Sequence, residues 1–332
     1  MELVTGGAGF IGSHLVDSLV AKGKRVRVLD NFSSGREEFL SHHAGSGRVE
    51  VMRGDLLDLE SVRSAMKGVD TVHHMAANPD IRLGTSVTDT DLRQGTIATY
   101  NVLESMRMEG VNRISFSSSS AVYGEASQMP TPETYGPIKP ISLYGASKLA
   151  SEALITAWCG TFGAKSWIHR FANIVGPRGT HGVIYDFIHK LKSDPSRLEV
   201  LGDGQQEKSY MSAHDCVKSM LHIIEMDEGG SVLYNLGTGD KAAWADYDND
   251  GFLDLIGADL RYIVHGSETY DLFAPMLSGD TVTIRHRIDG FELKKGGALD
   301  LARVTSRIGH PERGLLTSVS RIYIHVRPEG AA

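Results

Sequence analysis

Short apolar runs alternate with stretches of helical periodicity between residue 2 and about residue 236. This alternation is typical of a parallel sheet whose two faces are covered by helices. The pattern predicts strands at Glu2–Thr5, Arg25–Leu29, Val49–Met52, Thr71–Met75, Arg113–Ser117 and Ser166–Phe171, and helices at about 10–22, 59–66, 90–109, 143–160, 183–192 and 214–226. The sequence therefore predicts an α/β fold with a doubly wound parallel sheet.

The pattern changes in the last third of the chain. Past Gly239, an Asp-rich stretch at 242–259 is followed by β-like runs and glycine turns without a helix-strand alternation. We expect a first domain over residues 1–175, with segments up to about 239 shared between the two regions. A smaller second region over 176–332 has an atypical sequence after 240.

Composition and charge exclude several classes of function. The 332 residues are 41% hydrophobic and 23% charged, a balance typical of globular proteins, and the formal net charge is −7. The sequence contains no basic cluster of the kind that binds nucleic acid, and no apolar run of about 18 residues that would span a membrane. Two cysteines, Cys159 and Cys216, are too few for a disulfide framework. We expect a cytoplasmic protein without nucleic-acid or membrane partners.

A glycine-rich turn connects the first predicted strand to the first predicted helix. Gly6, Gly9 and Gly12 in TGGAGFIG let the backbone approach a pyrophosphate, while the helix N-terminus offers unpaired N–H groups. Asp30 ends the second strand, where a carboxylate would bind an adenosine ribose diol and repel a 2′-phosphate. Asp55, after the third strand, would accept a hydrogen bond from the adenine amino group or would cap a turn. The sequence predicts a Rossmann domain that binds NAD.

A second motif supplies candidate catalytic groups. Tyr144 and Lys148 are four residues apart in a predicted helix, which places the phenol and the ammonium on one face. The ammonium and an oxidised nicotinamide would favour the phenolate, so that Tyr144 becomes the base near neutral pH, and Lys148 would also hold the nicotinamide ribose. The serines at Ser117–Ser120 end the fifth strand, where ligands bind in open α/β sheets, and position alone does not choose among them.

Together these motifs resemble the extended short-chain dehydrogenase/reductase family, particularly the NAD-dependent nucleotide-sugar epimerases and dehydratases typified by UDP-glucose 4-epimerase. The resemblance covers about residues 1–239 and implies a Rossmann fold, NAD as cofactor, a nucleotide-sugar substrate and a homodimer paired through helices 90–109 and 143–160. It rests on the TGGAGFIG loop, Asp30-Asn31, Gly54-Asp55-Leu56, His74–Ala77, SSSSAVYG at Ser117–Gly124, Tyr144–Lys148 and RFANIVGPR at Arg170–Arg178.

The resemblance also assigns site residues. The family's catalytic hydroxyl falls on Ser119 and its substrate-contacting asparagine on Asn173. Lys208 stands where an arginine commonly grips the substrate diphosphate; a lysine keeps the charge but loses the bidentate fork. The residues implied to contact NAD are Gly6, Gly9, Phe10, Ile11, Gly12, Asp30, Asn31, Asp55, Leu56, Ala76, Ala77, Ser117, Tyr144 and Lys148.

The residues that follow Ser119 favour one reaction. Dehydratases of the family carry an acidic pair there, because the elimination of water needs a base and an acid, whereas this chain has Ser120-Ala121. The resemblance therefore implies C4 epimerisation of a UDP-hexose by oxidation, rotation of a 4-keto sugar and re-reduction. The alternatives are a nucleotide-sugar reductase or dehydrogenase with net redox change, and a non-catalytic NAD-binding protein with a calcium-binding tail.

Two features depart from the family pattern. Gly95 stands where the family often has an asparagine that supports the catalytic region, and the sequence after 240 does not resemble the family's substrate region. In that tail, Asp246–Asp254 spells D-x-D-x-D-G-x-x-D, similar to the calcium loops of FG-GAP-type repeats, in which alternate aspartates surround a cation. A solvated acidic turn is the other interpretation, and we assign no metal-binding residue.

Overall fold

A computed structural model describes residues 1–194, 198–200, 207–226, 229–237, 241–245, 254–256, 283–294, 299–309 and 320–326. The chain divides into two compact units. The first unit contains Met1–Ile188 and Ala213–Gly237, and the second contains His189–Ser212 and Thr238–Ala332.

The strands of the first unit are β1 (Glu2–Thr5), β2 (Val26–Asp30), β3 (Val49–Arg53), β4 (Thr71–His74), β5 (Arg113–Ser119), β6 (Lys165–Phe171), the short β7 (Asn173–Val175) and β9 (Ser231–Leu236). Seven of them form one sheet in the order β3-β2-β1-β4-β5-β6-β9, and each neighbouring pair is parallel. The order reverses between β1 and β4. In open sheets of this kind, ligands bind at such a switch point, outside the carboxyl ends of the strands.

Helices flank this sheet: α1 (Phe10–Ala21), α2 (Leu59–Met66), α3 (Ala98–Glu109), α4 (Leu143–Phe162) and α6 (Ala213–Met226). A further helix, α5 (Val183–Ser193), begins in the first unit and ends in the second. Short 3₁₀ segments occur at Glu37–Phe39, Ser41–His43, Ile81–Thr85 and Ser120–Tyr123. The predicted doubly wound α/β fold is thus confirmed. None of the helices that the structure describes is long and apolar enough to cross a membrane.

Two elements differ from their predicted form. β5 continues to Ser119, which brings the whole serine run to the edge of the sheet. The predicted helix 90–109 contains a π-helical segment at Leu92–Ile97 before α3. Gly95 lies in this segment, and its carbonyl oxygen accepts a hydrogen bond from Thr99 Oγ1 at 2.8 Å. A glycine and a competing side-chain donor both weaken regular α-helical geometry.

The core of the first unit lies between the sheet and helices α2, α3 and α4. Each large apolar side chain buried there stabilises the fold by about 1.5–3 kcal/mol. Its fully buried members include Leu3, Leu29, Met66, Leu103, Met106, Ile114, Phe116, Ile155 and Ile168. This core fixes the position of α4 against β5, which is the contact that builds the candidate catalytic site.

The second unit contains a mainly antiparallel sheet. Its strands are β8 (Glu207–Ser212), β10 (Lys241–Ala245), β11 (Asp254–Ile256), β12 (Thr283–Lys294), β13 (Leu299–Gly309) and β14 (Ser320–Val326). They pair antiparallel in the order β14-β13-β12-β11-β10-β8. The β-like runs of the atypical tail therefore form a sheet of their own, an architecture that the sequence did not predict.

Candidate active site

The glycine turn lies between β1 and α1, at the carboxyl edge of the parallel sheet. Gly6 has a φ of +67°, and a Cβ there would lie 2.7 Å from the Cα of Ala76. A Cβ on Gly12 would lie 2.1 Å from the carbonyl oxygen of Gly6. Gly9 precedes the first turn of α1, which has no side-chain cap, so its N–H groups remain available to an anion. This cradle fits the pyrophosphate of NAD.

Replacing Gly12 with alanine is expected to abolish NAD retention and to lower the melting temperature by several degrees, because the methyl would overlap the Gly6 carbonyl. The matched control is Gly160→Ala in α4, where a Cβ meets nothing within 4 Å. That variant should be neutral or more stable by up to about 1 kcal/mol. Released NAD and thermal unfolding measure both effects; a Gly12→Ala protein with full NAD and an unchanged melting temperature would contradict the assignment.

Asp30 lies at the end of β2 with its carboxylate against the glycine turn. Its Oδ2 accepts a hydrogen bond from the backbone N–H of Ala8 at 2.9 Å, and its Oδ1 accepts one from Phe32 at 2.8 Å. A Cβ on Gly35 would lie 2.9 Å from Oδ1, so the chain passes close over the carboxylate. Each oxygen keeps a further lone pair for a ribose hydroxyl. The fixed negative charge opposes a 2′-phosphate, which favours NAD over NADP.

Asn31 and Asp55 lie beside Asp30, at the ends of β2 and β3. The Asn31 amide donates to Asp55 Oδ2 at 3.2 Å, and Asp55 Oδ1 accepts from the backbone N–H of Leu57 at 2.9 Å. Leu56 is buried, and its carbonyl accepts a hydrogen bond from the Asn101 amide at 2.8 Å. Asp55 therefore caps a turn, and a contact between it and adenine stays a prediction.

The other residues predicted to contact NAD lie at the same edge of the sheet. Phe10 and Ile11 begin α1 and are partly exposed, as are Ala76 and Ala77 directly after β4. Ser117 is buried near the end of β5, and its hydroxyl donates to the carbonyl of His74 at 3.2 Å. The fold thus brings the predicted cofactor residues together from the ends of five neighbouring strands, β3, β2, β1, β4 and β5.

The candidate catalytic groups meet where α4 begins beside the end of β5. Ser142 caps the helix by accepting a hydrogen bond from Gly145, so that Tyr144 and Lys148 occupy the first two turns. The Tyr144 phenol is hydrogen-bonded to the Ser119 side chain. The Lys148 ammonium lies 5.8 Å from the centroid of the Tyr144 ring. Ser119, Tyr144 and Lys148 therefore form one cluster.

Burial has the largest effect on the pKa values of this cluster, and the predicted joint effect of Lys148 and oxidised nicotinamide on the Tyr144 phenol stays a prediction. Burial raises the pKa of Tyr144 to about 12, although the hydrogen bond from Ser119 acts to lower it. Burial lowers the pKa of Lys148 to about 8, against the effects of Glu152 and Asp91. The Lys148 ammonium donates a hydrogen bond to the carbonyl oxygen of Ser117 at 2.5 Å. A cation bound against the phenol, such as oxidised nicotinamide, would act against burial and lower the pKa of Tyr144 from its raised value.

A hydrogen-bonded network under the site was not predicted. The ring of His74 on β4 is hydrogen-bonded to Thr5 Oγ1 at 2.8 Å and to Thr99 Oγ1 at 3.1 Å. Burial, helped by the charge of Lys148, lowers the pKa of His74 to about 3, which keeps the imidazole neutral. Thr99 Oγ1 also lies 3.1 Å from Ser151 Oγ on α4, within hydrogen-bond distance. These bonds tie β1, β4, α3 and α4 together beneath Lys148.

A buried ion pair on the far side of Lys148 was also missed. Arg170 on β6 donates to both carboxylate oxygens of Glu152 on α4, at 2.9 and 2.6 Å. Ser118 donates to the same carboxylate. Glu152 follows Lys148 by four residues, the spacing that places both on one face of α4. This four-residue spacing is the feature of the sequence that could have indicated that Glu152 lies near the site.

The predicted substrate residues lie in separate units. Asn173 begins β7 in the first unit and is exposed, and Lys208 is exposed on β8 of the second unit. Their roles stay predictions. The Gly202–Gly204 segment and residues 246–253 of the Asp-rich loop at Asp246–Asp254 lie outside the described residues.

One group of possible metal ligands lies apart from these sites. Asp17 on α1 and the adjacent His42 and His43 hold their ligand atoms within 4.8 Å of one another. Asp17 Oδ1 pairs with the Nε2 atoms of His42 and His43 at 2.8 and 2.7 Å, and its Oδ2 pairs with Arg178 at 2.8 Å. The carboxylate is thus satisfied by three side chains without an ion.

A glycine cradle at the switch point, an acidic residue at the end of β2 and a Tyr-Lys pair beside a serine define a Rossmann enzyme of the short-chain dehydrogenase/reductase type. Residues 2–237 match the model of the NAD dependent epimerase/dehydratase family. The chain belongs to that family, and its cofactor is NAD. The suspected family is therefore confirmed.

Known relatives include enzymes that act on UDP-sugars. A Methanocaldococcus jannaschii protein provisionally named a UDP-glucose 4-epimerase is 35% identical over 251 residues, which is 73% of this chain and 78% of that protein. A crystal structure of a UDP-galactose 4-epimerase is 44% identical with a TM-score of 0.65, over 72% of this chain and 78% of that one. UDP-glucuronic acid decarboxylase 4 of Arabidopsis thaliana is 34% identical over 71% of this chain and 53% of its own length.

The C-terminal region of the chain matches a different family model from the first region. Residues 240–312 match the model described as FAS1-like, dehydratase domain region. The family match ends at residue 237, close to the point after which the sequence becomes atypical. The tail therefore resembles a protein other than the nucleotide-sugar enzymes, which explains why it lacks their substrate-region pattern.

Proposed function

We propose that this protein is an NAD-dependent C4 epimerase of a UDP-hexose. The observation that carries the proposal is the segment that follows Ser119. Ser120 is exposed and Ala121 partly exposed in the 3₁₀ segment Ser120–Tyr123, so a hydroxyl and a methyl group stand where dehydratases of the family have an acidic pair. Neither group can serve as the acid or the base of an elimination. Oxidation and re-reduction at C4 need only the Ser119, Tyr144 and Lys148 cluster.

Each residue of the cluster has a proposed role. Tyr144 takes the proton of the C4 hydroxyl, and Ser119 holds that hydroxyl and the phenol in one hydrogen-bonded line. Lys148 orients the nicotinamide ribose and stabilises the phenolate electrostatically. NAD, when bound, accepts a hydride from C4 and returns it. Rotation of the 4-keto sugar between the two transfers inverts the configuration, and Tyr144 then returns the proton.

Asn173 and Lys208 are proposed to hold the substrate. The Asn173 amide has donors and an acceptor for sugar hydroxyls, and the Lys208 ammonium has a charge for the diphosphate. Because a lysine contacts phosphate as a point charge, Lys208→Arg should preserve or tighten binding of the nucleotide sugar, while Lys208→Ala should raise KM with little change in kcat.

Product analysis tests the proposal. The purified protein is incubated with UDP-galactose, UDP-N-acetylgalactosamine or UDP-glucuronate, and the sugars are resolved by chromatography. The proposal predicts the C4 epimer of one of these substrates without accumulation of NADH. A pentose product from UDP-glucuronate would indicate a decarboxylase, and stoichiometric NADH would indicate a dehydrogenase; either result would replace the epimerase assignment.

We also propose that the protein is a homodimer paired through α3 and α4. Large side chains stay exposed along this face, including Leu92, Ile97, Tyr100 and Phe162 at 53%, 41%, 45% and 51%. Trp158 packs against both Tyr100 and Phe162, which makes the exposed aromatic surface continuous. Light scattering should give twice the chain mass of 36.1 kDa. A monomer at micromolar concentration would exclude a stable pairing.

A further inference from the structure

Asp91 is a buried carboxylate that none of the assigned roles uses. It lies directly before the π-helical segment Leu92–Ile97 and is 1% exposed. Its Oδ1 accepts a hydrogen bond from the Asn78 amide at 3.0 Å. Its Oδ2 is buried and has no hydrogen-bond partner within the part of the chain that the structure describes. Leaving a buried charged oxygen unpaired is costly, so its position needs an explanation.

No positively charged side chain among the described residues contacts the Asp91 carboxylate. A Cβ on Gly84 would lie 2.7 Å from Oδ2 and 3.5 Å from the Cβ of Leu143, so the Gly84 backbone passes close to both residues. Among the described residues, no lysine, arginine or histidine forms an ion pair with Asp91. The start of a helical segment at this point supplies a partial positive charge, which helps the fold to tolerate the anion.

Asp91 nevertheless lies close to the catalytic pair. Leu143, on the other side of Gly84, directly precedes Tyr144. The π-helical segment that follows Asp91 packs on the first turns of α4, where Thr96 Oγ1 donates to the Ser147 carbonyl at 3.5 Å. Gly95 has no side chain there, and a Cβ on it would lie 2.6 Å from Ser147 Oγ. This close packing fixes the carboxylate relative to Tyr144 and Lys148.

The charge of Asp91 acts on both catalytic groups. It raises the pKa of Tyr144 beyond the effect of burial, and it opposes the lowering of the Lys148 pKa by burial. Glu152, on α4, acts on Lys148 in the same direction. His74, on β4, is held neutral by burial. Asp80 and Arg82, in the loop after β4, pair with each other at the surface.

We propose that Asp91 is a positioning residue whose free charge sets the pH at which the Tyr144–Lys148 pair releases its proton. Burial acts to lower the pKa of Lys148, and a neutral amine would stabilise the phenolate less than an ammonium does. The fixed negative charge keeps Lys148 an ammonium, and it keeps the proton on Tyr144 until a cation such as oxidised nicotinamide binds. The kinetic consequences rest on the proposed function, whereas the protonation of Tyr144 does not.

The test removes the charge and keeps the shape, with Asp91→Asn. The control is Asp89→Asn, which removes an exposed carboxylate two residues away that pairs with Arg93 at 3.8 Å. A second comparison, Asn78→Ala, deletes the hydrogen bond to Oδ1 but leaves the charge. If Asp91→Asn does not fold, Asp91→Ser removes the charge while retaining an acceptor for Asn78.

The first readout is the protonation of Tyr144, followed by NMR of NAD-loaded protein labelled at tyrosine ¹³Cζ. The Tyr144 signal is the one that disappears in Tyr144→Phe. Because removal of a negative charge lowers the pKa of every neighbouring group, the titration midpoint of Tyr144 should move to lower pH by about one unit in Asp91→Asn. It should stay in place in Asp89→Asn and in Asn78→Ala.

The second readout is the rate of reduction of bound NAD by a nucleotide sugar, followed at 340 nm across pH. The acid limb of this rate should move with the NMR midpoint in Asp91→Asn alone. An unmoved NMR midpoint in Asp91→Asn, or an equal shift in Asn78→Ala, overturns the inference. If no nucleotide sugar reduces NAD in any variant, the proposed function fails, and the NMR midpoint still decides the role of Asp91.

Discussion

Replacing Tyr144 with phenylalanine should reduce hydride transfer from a nucleotide sugar by about 10³-fold or more while NAD stays bound. The substitution removes only the hydroxyl that pairs with Ser119, which is the group that we propose takes the C4 proton. The glycine turn and Asp30, which form the cradle for the dinucleotide, are untouched. Loss of chemistry without loss of cofactor is therefore the signature of the assigned base.

The measurement compares the rate of NAD reduction at 340 nm with the amount of NAD released on denaturation. Tyr100→Phe is the matched control, because Tyr100 is exposed on α3, away from the cluster. It should keep both the rate and the cofactor. A Tyr144→Phe protein that retained more than about a tenth of the wild-type rate would exclude Tyr144 as the base, since general base catalysis contributes at least about 10²-fold.

Replacing Glu152 with alanine should lower the free energy of unfolding by about 3–5 kcal/mol, because it leaves the buried Arg170 guanidinium unpaired. The side chains of Arg170 and Glu152 are 4% and 5% exposed, so solvent cannot replace the lost partner. The same change removes a carboxylate that supports the charge of Lys148. We therefore expect impaired hydride transfer in the protein that still folds.

Denaturation in urea measures this loss, and two comparisons define its cause. Glu104→Ala breaks an exposed pair with Arg107 and should change stability little. The double variant Glu152→Leu with Arg170→Met removes both charges and should recover much of the loss, because two apolar side chains cost less than one unpaired charge. Equal destabilisation in Glu152→Ala and in the double variant would show that packing, rather than charge, dominates.

The sequence predicted the parallel sheet well because its signals are local. Each strand of the first unit is a short apolar run, and each helix follows a turn or a cap, so pattern and propensity agree. The predicted strand at Glu2–Thr5 and helix at 59–66 match the structure at both ends. The π-helical segment at Leu92–Ile97 was not predicted, because the periodicity of 90–109 is that of one helix and does not show where Thr99 bonds to the Gly95 carbonyl.

The candidate site was predictable where residues act through a motif and not where they act through distant contacts. The TGGAGFIG turn and the Tyr144–Lys148 pair could be predicted, because the residues that form each of them lie close together in the sequence. Asp91 and Arg170 lie on elements that are far apart in sequence from Tyr144 and Lys148. They become buried near that pair only when the sheet and the helices pack together. Burial adds an effect that the Tyr144–Lys148 spacing does not show, because it raises the pKa of Tyr144 to about 12.

The tail could not be predicted from the first unit. Its match to the FAS1-like, dehydratase domain region over residues 240–312 shows that the pattern of the nucleotide-sugar enzymes does not extend into it. Pairing between strands such as β12 and β13 is antiparallel and joins residues far apart in sequence, which local periodicity does not specify.

The most direct test of the proposed C4 cycle follows the hydrogen on C4. UDP-galactose carrying deuterium at C4 is converted in the presence of excess unlabelled NADH, and the UDP-glucose formed is examined by mass spectrometry and NMR. The account predicts that the deuterium stays at C4, because one enclosed site removes and returns the same hydride. Loss of the label to solvent or to free cofactor, or a product that has lost water, would contradict it.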